Sequence, residues 1–263
     1  MWATDAFSKQ ARDKGYSGSR ALRMYRPQSS QSASRSPGAV FEKRLRQIVR
    51  PGNRVLDAGC GRGKFCSFAF AKALGCTISG VDTSDELHDN PHLDTRIRAD
   101  LSKLPFASQS FDVINCRLVV EHLLDPEPAF QEFHRVLKRG GKAAIFTPNL
   151  FHYFGAAAKV TPDWFHRWFN SQIRGFEISD IFPTYYRANT RYSLNEQLER
   201  AGFTQVEIAL VEGAPDVLAF DFILHSLGKA YKKLVDRFDF LSAFRLNIIA
   251  ICQKSQAQDR GPD

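Results

Sequence analysis

A glycine-rich turn follows the first strongly apolar run of the sequence and has the composition of a ligand-binding loop. Residues 57–63 read Asp-Ala-Gly-Cys-Gly-Arg-Gly, directly after Val55-Leu56. Glycine tolerates positive φ and has no Cβ to hold a ligand away from the backbone. A helix predicted from about Lys64 would direct its N-terminal amides at a negative group, either a carboxylate or a phosphate. The glycines of this turn are Gly59, Gly61 and Gly63.

The spacing of the glycines narrows the class of ligand. A dinucleotide-binding turn has the pattern G-x-G-x-x-G, whereas this turn is G-x-G-x-G and has Lys64 where the third glycine would stand. An acidic residue, Asp57, precedes the turn, where it would accept from an amino group of the ligand or order the loop. On this stretch alone, a generic strand-to-helix turn is an open alternative.

Two further acidic residues are placed to bind a nucleoside. Asp82 ends the second predicted strand, at a distance along the chain suited to binding ribose hydroxyls. Asp100 follows the third strand, where it would bind an adenine amino group, with Leu101 against the ring. Asp82 could equally be an ordinary polar residue at a strand end.

These residues must be positioned by strands that alternate with helices. The pattern from Val40 onward predicts an α/β fold with a Rossmann-like, mostly parallel seven-stranded sheet, helices on both faces, and insertions after strands 5 and 6. Ser193 and Glu196 have capping-box spacing, which predicts a helix start at Ser193. The strands are predicted near 54–57, 77–81, 95–98, 112–116, 142–147, 205–211 and 247–252.

Taken together, these segments resemble the class I S-adenosylmethionine-dependent methyltransferases over residues 40–150. Further segments that carry the resemblance are 104–106 (Leu-Pro-Phe), 110–114 (Ser-Phe-Asp-Val-Ile) and 135–141 (Arg-Val-Leu-Lys-Arg-Gly-Gly). The resemblance implies S-adenosylmethionine as cofactor, with the glycines at its methionine moiety, Asp82 at the ribose, and Asp100 and Leu101 at the adenine. The other residues expected at the cofactor are Asp57, Thr83 and Arg117.

The segment after the fourth strand, residues 115–122, should face the reactive end of the cofactor. It lacks the Asn/Asp-Pro-Pro-aromatic run of nucleobase amino methyltransferases, and its Glu-His-Leu resembles the small-molecule, quinone-precursor type. Glu121 and His122 are the candidate acid/base pair; alternatively, Glu121 supports the loop and His122 packs beneath it. We expect methyl transfer by in-line displacement to a small molecule, with oxygen favoured and carbon or nitrogen possible. No His/Asp cluster has metal-ligand spacing, so no metal is expected.

Two insertions are candidates for the acceptor side. Residues 148–192 are rich in aromatic and basic residues that suit an apolar, aromatic or acidic acceptor, although the aromatics could simply form the core of a small helical subdomain. Residues 213–245 carry a basic amphipathic pattern, which favours packing against the sheet or a second subunit and leaves peripheral membrane contact as an alternative. The expected acceptor-binding residues are His152, Tyr153, Arg167, Tyr185, Tyr186 and Arg187.

The N-terminal residues 1–39 hold most of the excess positive charge. The chain has a net charge of +8, of which +5 lies in residues 1–40. We expect a disordered basic arm and linker before a methyltransferase domain at 40–263; a transit peptide is the alternative. A nucleic-acid substrate is therefore disfavoured, and an RNA methyltransferase that uses the arm is a rival hypothesis.

Cysteine usage and apolar content indicate the compartment. The five cysteines are dispersed and include no C-x-x-C pair, which favours a reducing cytoplasm. No apolar run is long enough to span a bilayer. We expect a monomer or homodimer. Other rival functions are a nicotinamide oxidoreductase, disfavoured by the missing third glycine and the lack of a Tyr-x-x-x-Lys pair, and a non-catalytic adenosylmethionine-binding protein.

Overall fold

A seven-stranded sheet organises the computed structural model, which describes residues 36–64, 68–153, 155, 183–215, 218 and 222–256. The strand order is β3-β2-β1-β4-β5-β7-β6. Neighbouring strands are parallel from β3 to β5, and β7 is antiparallel to both β5 and β6. The strands are β1 (Arg54–Ala58), β2 (Thr77–Asp82), β3 (Thr95–Arg98), β4 (Phe111–Arg117), β5 (Leu137–Pro148), β6 (Phe203–Val211) and β7 (Asn247–Lys254).

Helices cover both faces of this sheet. The first, α1, begins after Ser36, whose side chain accepts from the Ala39 amide. It therefore starts before the predicted domain boundary at Val40, and residues 1–35 of the predicted arm lie outside the described residues. Among the described residues the helices are α1 (Pro37–Ile48), α2 (Ala69–Ala73), α3 (Glu127–Val136), α4 (Arg191–Arg200) and α5 (Phe222–Arg237); short 3₁₀ helices span Asp85–Asp89, Val120–His122 and Asp239–Phe244.

The core has one layer on each face of the sheet. Neighbouring residues of β1 point to opposite layers: Leu56 packs with Phe130 and Phe133 of α3, and Val55 packs with Phe41 of α1. Strands buried on both faces read as continuous apolar runs, which is why the sequence pattern identified them. The predicted fold class is confirmed.

Two predicted helix starts are wrong. The helix expected at Lys64 begins instead at Ala69, after Phe68 in the left-handed conformation, and residues 65–67 lie outside the described residues. The helix expected to begin at Ser193 begins two residues earlier. There Thr190 Oγ1 accepts from the Ser193 amide at 3.0 Å, and Ser193 Oγ accepts from the Thr190 amide at 3.2 Å. Ser193 is therefore the third residue of the helix, because Thr190 takes the capping position.

Candidate active site

The chemistry-bearing residues gather at the edge of the sheet where the parallel strands end. The residues at and after the ends of β1 to β3 form a group that we call the glycine edge. The residues at and after the ends of β4 to β6 form a group that we call the histidine edge. The two groups are neighbours because β1 pairs with β4. The glycine edge comprises residues 57–63, 82–83, 90 and 100–101; the histidine edge comprises residues 115–122, 147–153, 183–189, 212 and 231.

Asp82 fastens the glycine turn to the end of β2. Its Oδ2 accepts from the Gly61 amide at 2.9 Å, and its Oδ1 accepts from the Ser84 amide at 2.9 Å. Each carboxylate oxygen can accept a second hydrogen bond. Asp82 can therefore hold the loop and still accept from two ligand hydroxyls, as the ribose role requires.

The first two glycines of the turn serve different purposes. Gly59 has φ +74°, and a Cβ there would lie 2.3 Å from Cγ2 of Val119, so its place is fixed by close packing. Gly61 also has positive φ, but a Cβ there would meet no atom within 4 Å. Gly59 thus lets the loop pack on Val119, just after β4, whereas Gly61 borders open space in which a ligand can lie.

Asn90 holds the loop from below and was missed by the sequence analysis. It is fully buried, and its Nδ2 donates to the carbonyls of Cys60 at 3.2 Å and Gly61 at 3.1 Å. A Cβ on Gly63 would lie 2.5 Å from Asn90 Oδ1. The signal for this role is weak in the sequence, since Asn90 lies outside the glycine motif.

Asp57 is buried against Asn115 of β4. Asn115 Nδ2 donates to Asp57 Oδ1 at 2.7 Å. Burial raises the pKa of Asp57 to about 7, aided by the charge of Asp82 and opposed by the Asn115 hydrogen bond and the charge of Arg117. Of the two predicted roles for Asp57, this contact supports ordering of the loop.

Arg117 lies between the glycine edge and α1. Its guanidinium carbon is 5.8 Å from the ring centre of Phe41 and 5.4 Å from that of Phe146. Its charge reaches Asp57, whose pKa it lowers. Its placement at the end of β4 agrees with the expected position beside the cofactor, and contact with the cofactor stays a prediction.

The remaining glycine-edge residues differ in exposure. Asp100 is exposed, and its Oδ1 accepts from the Ser102 amide at 2.8 Å. Thr83 is exposed and its carbonyl accepts from Arg98 Nε at 2.9 Å. The Leu101 side chain is buried in the core, where it supports the end of β3. Contacts from these three residues to adenine or ribose stay predictions.

On the histidine edge, His122 is held in one tautomer. Its Nδ1 lies 2.7 Å from the carbonyl oxygen of Pro183, and a carbonyl can only accept, so Nδ1 carries the hydrogen. The lone pair is then on Nε2, which lies 4.0 Å from Oε1 of Glu121. Burial lowers the pKa of His122, and the Pro183 hydrogen bond opposes this. The ring is therefore a neutral base near pH 7.

Glu121 is a buried carboxyl within a short polar chain. Thr147 Oγ1 donates to Glu121 Oε2 at 2.9 Å, and Asn189 Nδ2 donates to Thr147 Oγ1 at 2.6 Å. Burial raises the pKa of Glu121 to about 7, although the Thr147 hydrogen bond lowers it. These contacts join the ends of β4 and β5 to the segment before α4, and they favour the supporting role for Glu121.

The same residue anchors residues 183–187 through its backbone. The amides of Tyr185 and Tyr186 donate to the Glu121 carbonyl at 2.7 and 3.3 Å. Tyr186 has a left-handed backbone, with φ +53°. The predicted acceptor residues Tyr185 and Tyr186 are thereby brought beside His122, and Arg187 follows them as an exposed residue. Arg167 lies outside the described residues.

A second buried cluster surrounds His152. Its Nε2 lies 3.6 Å from Glu212 Oε1, and its ring centre lies 4.0 Å from that of Tyr153 and 5.4 Å from that of Tyr231. Burial lowers the pKa of His152 to about 4 and raises that of Glu212 to about 7. Glu212 and Tyr231 were not predicted, because they reach His152 from β6 and α5.

Metal and disulfide chemistry find no support in the part of the chain that the structure describes. No group of three or more His, Cys, Asp or Glu side chains there could hold a metal ion. The four cysteines described are buried free thiols. Within the same residues, no helix has both the length and the apolar character needed to cross a membrane.

Comparison with known proteins identifies the family. Residues 56–145 match the methyltransferase domain family. A demethylmenaquinone methyltransferase of Alkalihalophilus pseudofirmus is 26% identical over 64% of this chain and 77% of its own length. A ubiquinone biosynthesis O-methyltransferase of Coxiella burnetii is 35% identical over 39% of this chain and 47% of its own length. Residues 56–145 are therefore a methyltransferase domain of the class I S-adenosylmethionine-dependent type.

The fold agrees with this membership. The structure of phosphoethanolamine N-methyltransferase 2 from Haemonchus contortus, in complex with S-adenosylmethionine, superposes with a TM-score of 0.55 and 19% identity. It covers 84% of this chain and 54% of its own. The alignment to the Coxiella relative spans less than half of that protein.

The residues at the glycine edge fit S-adenosylmethionine, the cofactor of this family. Gly61 borders open space, and Asp82 retains lone pairs for ribose hydroxyls. Asn115 Oδ1 is buried and has no hydrogen-bond partner among the described residues, so it can accept from an ammonium group. A buried acceptor without a partner is costly, so a donor from a bound ligand or a water would stabilise this position.

Proposed function

We propose that this methyltransferase transfers a methyl group from S-adenosylmethionine to a hydroxyl oxygen of a small molecule, with His122 as general base. The observation that carries this proposal is the hydrogen bond between His122 Nδ1 and the Pro183 carbonyl. It fixes the tautomer that has its lone pair on Nε2, at the carboxyl end of β4 beside the glycine edge. A hydroxyl acceptor needs such a base because its proton must leave.

The bound cofactor supplies a methyl group already activated by its sulfonium. His122 Nε2 takes the proton from the acceptor hydroxyl while the oxygen forms its bond to the methyl carbon. When bound, the cofactor would give up the methyl group by breaking its carbon–sulfur bond, and the electron pair would stay on sulfur. The rest of the chain has to align the acceptor, at about 3–3.5 Å from the methyl carbon. Glu121 positions His122 and the 183–187 segment and is not a proton carrier in this scheme.

We further propose that the acceptor is aromatic, of the quinone-precursor type. Tyr185 lies beside His122, and the rings of His152, Tyr153 and Tyr231 form a second aromatic surface at the end of β5. Aromatic walls with a few polar groups are typical of small-molecule sites. The exposed Arg187 is suited to an acidic substituent on the acceptor. Both relatives named above are quinone-related by name, which supports the same class.

The proposal is tested in two steps. Labelled S-adenosylmethionine and fractionated cell metabolites first identify the acceptor, and the methylated atom is then determined. His122→Gln is expected to lower kcat by about 10²–10⁴-fold, the usual contribution of a general base, and to leave the affinity for S-adenosylmethionine unchanged. A His122→Gln variant with wild-type kcat, or a product methylated on carbon or nitrogen, would overturn it.

His225→Gln is the matched control for that substitution. His225 makes the same kind of contact, with Nδ1 3.3 Å from the Pro215 carbonyl, but it lies on α5. The control variant should keep wild-type kcat. Wild-type enzyme that binds S-adenosylmethionine but methylates no metabolite would instead support the non-catalytic alternative. Deletion of residues 1–35 tests the RNA alternative, because activity on a small acceptor should survive it. A cytoplasmic location stays a prediction.

A further inference from the structure

The apolar surface of helix α5 is wider than the part that the helix buries, although a helix on the surface of a soluble domain usually turns its apolar stripe to the core. Its inner face packs on the protein through Gly228 and Val235, which are buried, and through Tyr231. The adjoining side of the helix carries Ile223, Leu227 and Leu234, which are 68%, 62% and 49% exposed. Their spacing of four and seven residues places them in one row along the helix.

Exposed aromatic residues lie at the start of this helix and beyond its end. Phe222 begins α5, and Phe238 follows the row by four further residues. Phe240 and Phe244 belong to the 3₁₀ helix that comes next, and Phe240 is 77% exposed. We call the whole set the outer face. It comprises Phe222, Ile223, Leu227, Leu234, Phe238, Phe240 and Phe244.

A row of cations lies along one side of the outer face. Lys229, Lys233 and Arg237 are exposed and follow one another at intervals of four residues. Residues 222–245 contain two acidic residues, and each is close to another cation: Asp236 lies 2.7 Å from Lys232, and Asp239 lies 3.8 Å from Arg245. The net positive charge of the segment therefore resides on the row beside the apolar residues.

We propose that the outer face docks on the surface of an anionic lipid bilayer. Exposed phenylalanine and leucine side chains beside lysine and arginine match a membrane interface, where the apolar groups enter the acyl boundary and the cations meet anionic headgroups. Long cationic side chains can reach the headgroups while their stems stay in apolar surroundings. A second copy of the chain is a poorer occupant, because a symmetric dimer through this face would bring two cationic rows together.

Docking also has a geometric consequence for the histidine edge. Tyr231 on the inner face of α5 lies against His152 and Tyr153, so this cluster packs directly on the helix that docks. A bilayer-bound enzyme would thus hold its acceptor side next to the lipid. The docking itself rests on the exposed surface and not on the identity of the acceptor.

Vesicle flotation of the full chain tests the proposal. The protein is mixed with vesicles of phosphatidylcholine alone or of phosphatidylcholine with phosphatidylglycerol. We expect it to float with the anionic vesicles and to partition at least about tenfold less to the neutral ones, because the cations supply part of the attraction. A triple substitution of the apolar row, Ile223→Gln with Leu227→Gln and Leu234→Gln, should reduce flotation at least about tenfold. Lys229→Gln with Lys233→Gln and Arg237→Gln should abolish the preference for anionic lipid.

The matched control replaces exposed apolar residues elsewhere. Leu124→Gln with Tyr192→Gln changes two side chains that are as exposed as the apolar row and should leave flotation unchanged. Affinity for S-adenosylmethionine, measured on every variant, shows that the fold is intact. Flotation with neither kind of vesicle, or equal flotation of wild type and the apolar-row variant, would overturn the proposal. So would a wild-type dimer that becomes monomeric only in the apolar-row variant, since the face would then bind a second copy.

Discussion

The glycine edge and the histidine edge are neighbours on one sheet, yet main-chain groups shape the first and side chains shape the second. The glycine edge is shaped by the backbone: Gly59 and Gly61 have positive φ, and Asp82 accepts from main-chain amides. The histidine edge is shaped by buried ionisable side chains, of which Glu121 and His152 are the centres. The first edge should therefore respond mainly to steric change, and the second to desolvation and protonation.

The largest expected effect comes from adding a methyl group to the glycine edge. Gly59→Ala places a Cβ 2.3 Å from Val119 at positive φ. The left-handed conformation and the overpacking together should lower the free energy of unfolding by about 2–5 kcal/mol. Urea unfolding measures this. Gly52→Ala is the matched control, with positive φ and no atom within 4 Å of the new Cβ, and should cost only about 1–2 kcal/mol.

Gly61→Ala separates folding from binding within the same turn. Its Cβ meets no protein atom, so unfolding should resemble that of Gly52→Ala. If the cofactor occupies the open space beside Gly61, calorimetry should show weaker S-adenosylmethionine binding in Gly61→Ala alone. Equal affinities for the Gly61 and Gly52 variants would place the cofactor elsewhere.

The histidine edge should be sensitive to the loss of one hydroxyl. Thr147→Val keeps the shape of the side chain and removes the donor to Glu121 and the acceptor for Asn189. Leaving buried polar groups without partners should lower the free energy of unfolding by about 1–3 kcal/mol. Thr204→Val removes an exposed hydroxyl bonded to the Gln253 carbonyl and should cost much less. Similar losses in both variants, measured by urea unfolding, would refute the buried network.

Removing the charge of Asp82 should weaken binding of the cofactor and leave binding of the acceptor unchanged. Hydrogen bonds to a charged group contribute about 1.5–3 kcal/mol, so Asp82→Asn should weaken S-adenosylmethionine binding about 10–100-fold in calorimetry. Asp85→Asn removes an exposed carboxylate paired with Arg98 near the same strand end and is the control. NAD should bind neither the wild type nor the variants. Unchanged affinity in Asp82→Asn would show that the ribose assignment is wrong.

The smallest effect is a dependence of stability on pH that belongs mostly to the histidine edge. Burial raises the pKa of Glu121, Glu212 and Asp57 to about 7. Their folded pKa values lie above the unfolded ones, so stability is present at low pH and is lost as pH rises through 7. His152 has a lowered pKa and costs stability increasingly as pH falls through about 6.5, its unfolded value.

Between pH 6.5 and 8 the difference between wild type and Glu212→Gln isolates one carboxyl group, because the histidines titrate alike in both unfolded proteins. As pH rises from 6.5 to 8, ionisation of each of the three carboxyl groups should lower the free energy of unfolding by about 0.5–1 kcal/mol. Glu212→Gln should reduce the total decrease by the amount that belongs to one group. Asp94→Asn is the control: a hydrogen bond from the Ile78 amide lowers the pKa of Asp94, so it is ionised throughout the window. The prediction would be contradicted if the free energy of unfolding, measured with urea, fell as steeply with pH in Glu212→Gln as in the wild type.

The difference between the edges also explains what the sequence could predict. The glycine edge is encoded locally, because glycine spacing and an acidic residue at the next strand end suffice to place Gly61 beside Asp82. The strands were predicted for the same kind of reason, since a strand buried on both faces is a continuous apolar run. The role of Asn90 was not predicted, because this residue lies outside the glycine motif whose loop it binds.

The histidine edge is encoded by residues that meet only in the fold. Glu212 and Tyr231 lie 60 and more positions from His152 and carry no shared motif. The start of α4 was misplaced because two capping patterns compete there, and the one at Thr190 satisfies the helix amides. The late start of α2 has its own local cause in the left-handed Phe68.

The attachment of residues 183–187 to Glu121 has a consequence for the evolution of substrate range. Both of its hydrogen bonds are made by main-chain atoms, the amides of Tyr185 and Tyr186 and the carbonyl of Glu121. Any residue except proline supplies the same amide. The side chains at positions 185 and 186 can therefore be exchanged while the segment stays anchored, although the left-handed backbone at 186 favours glycine and asparagine there. A library randomised at position 185 should yield enzymes that accept new substrates and still use the same cofactor.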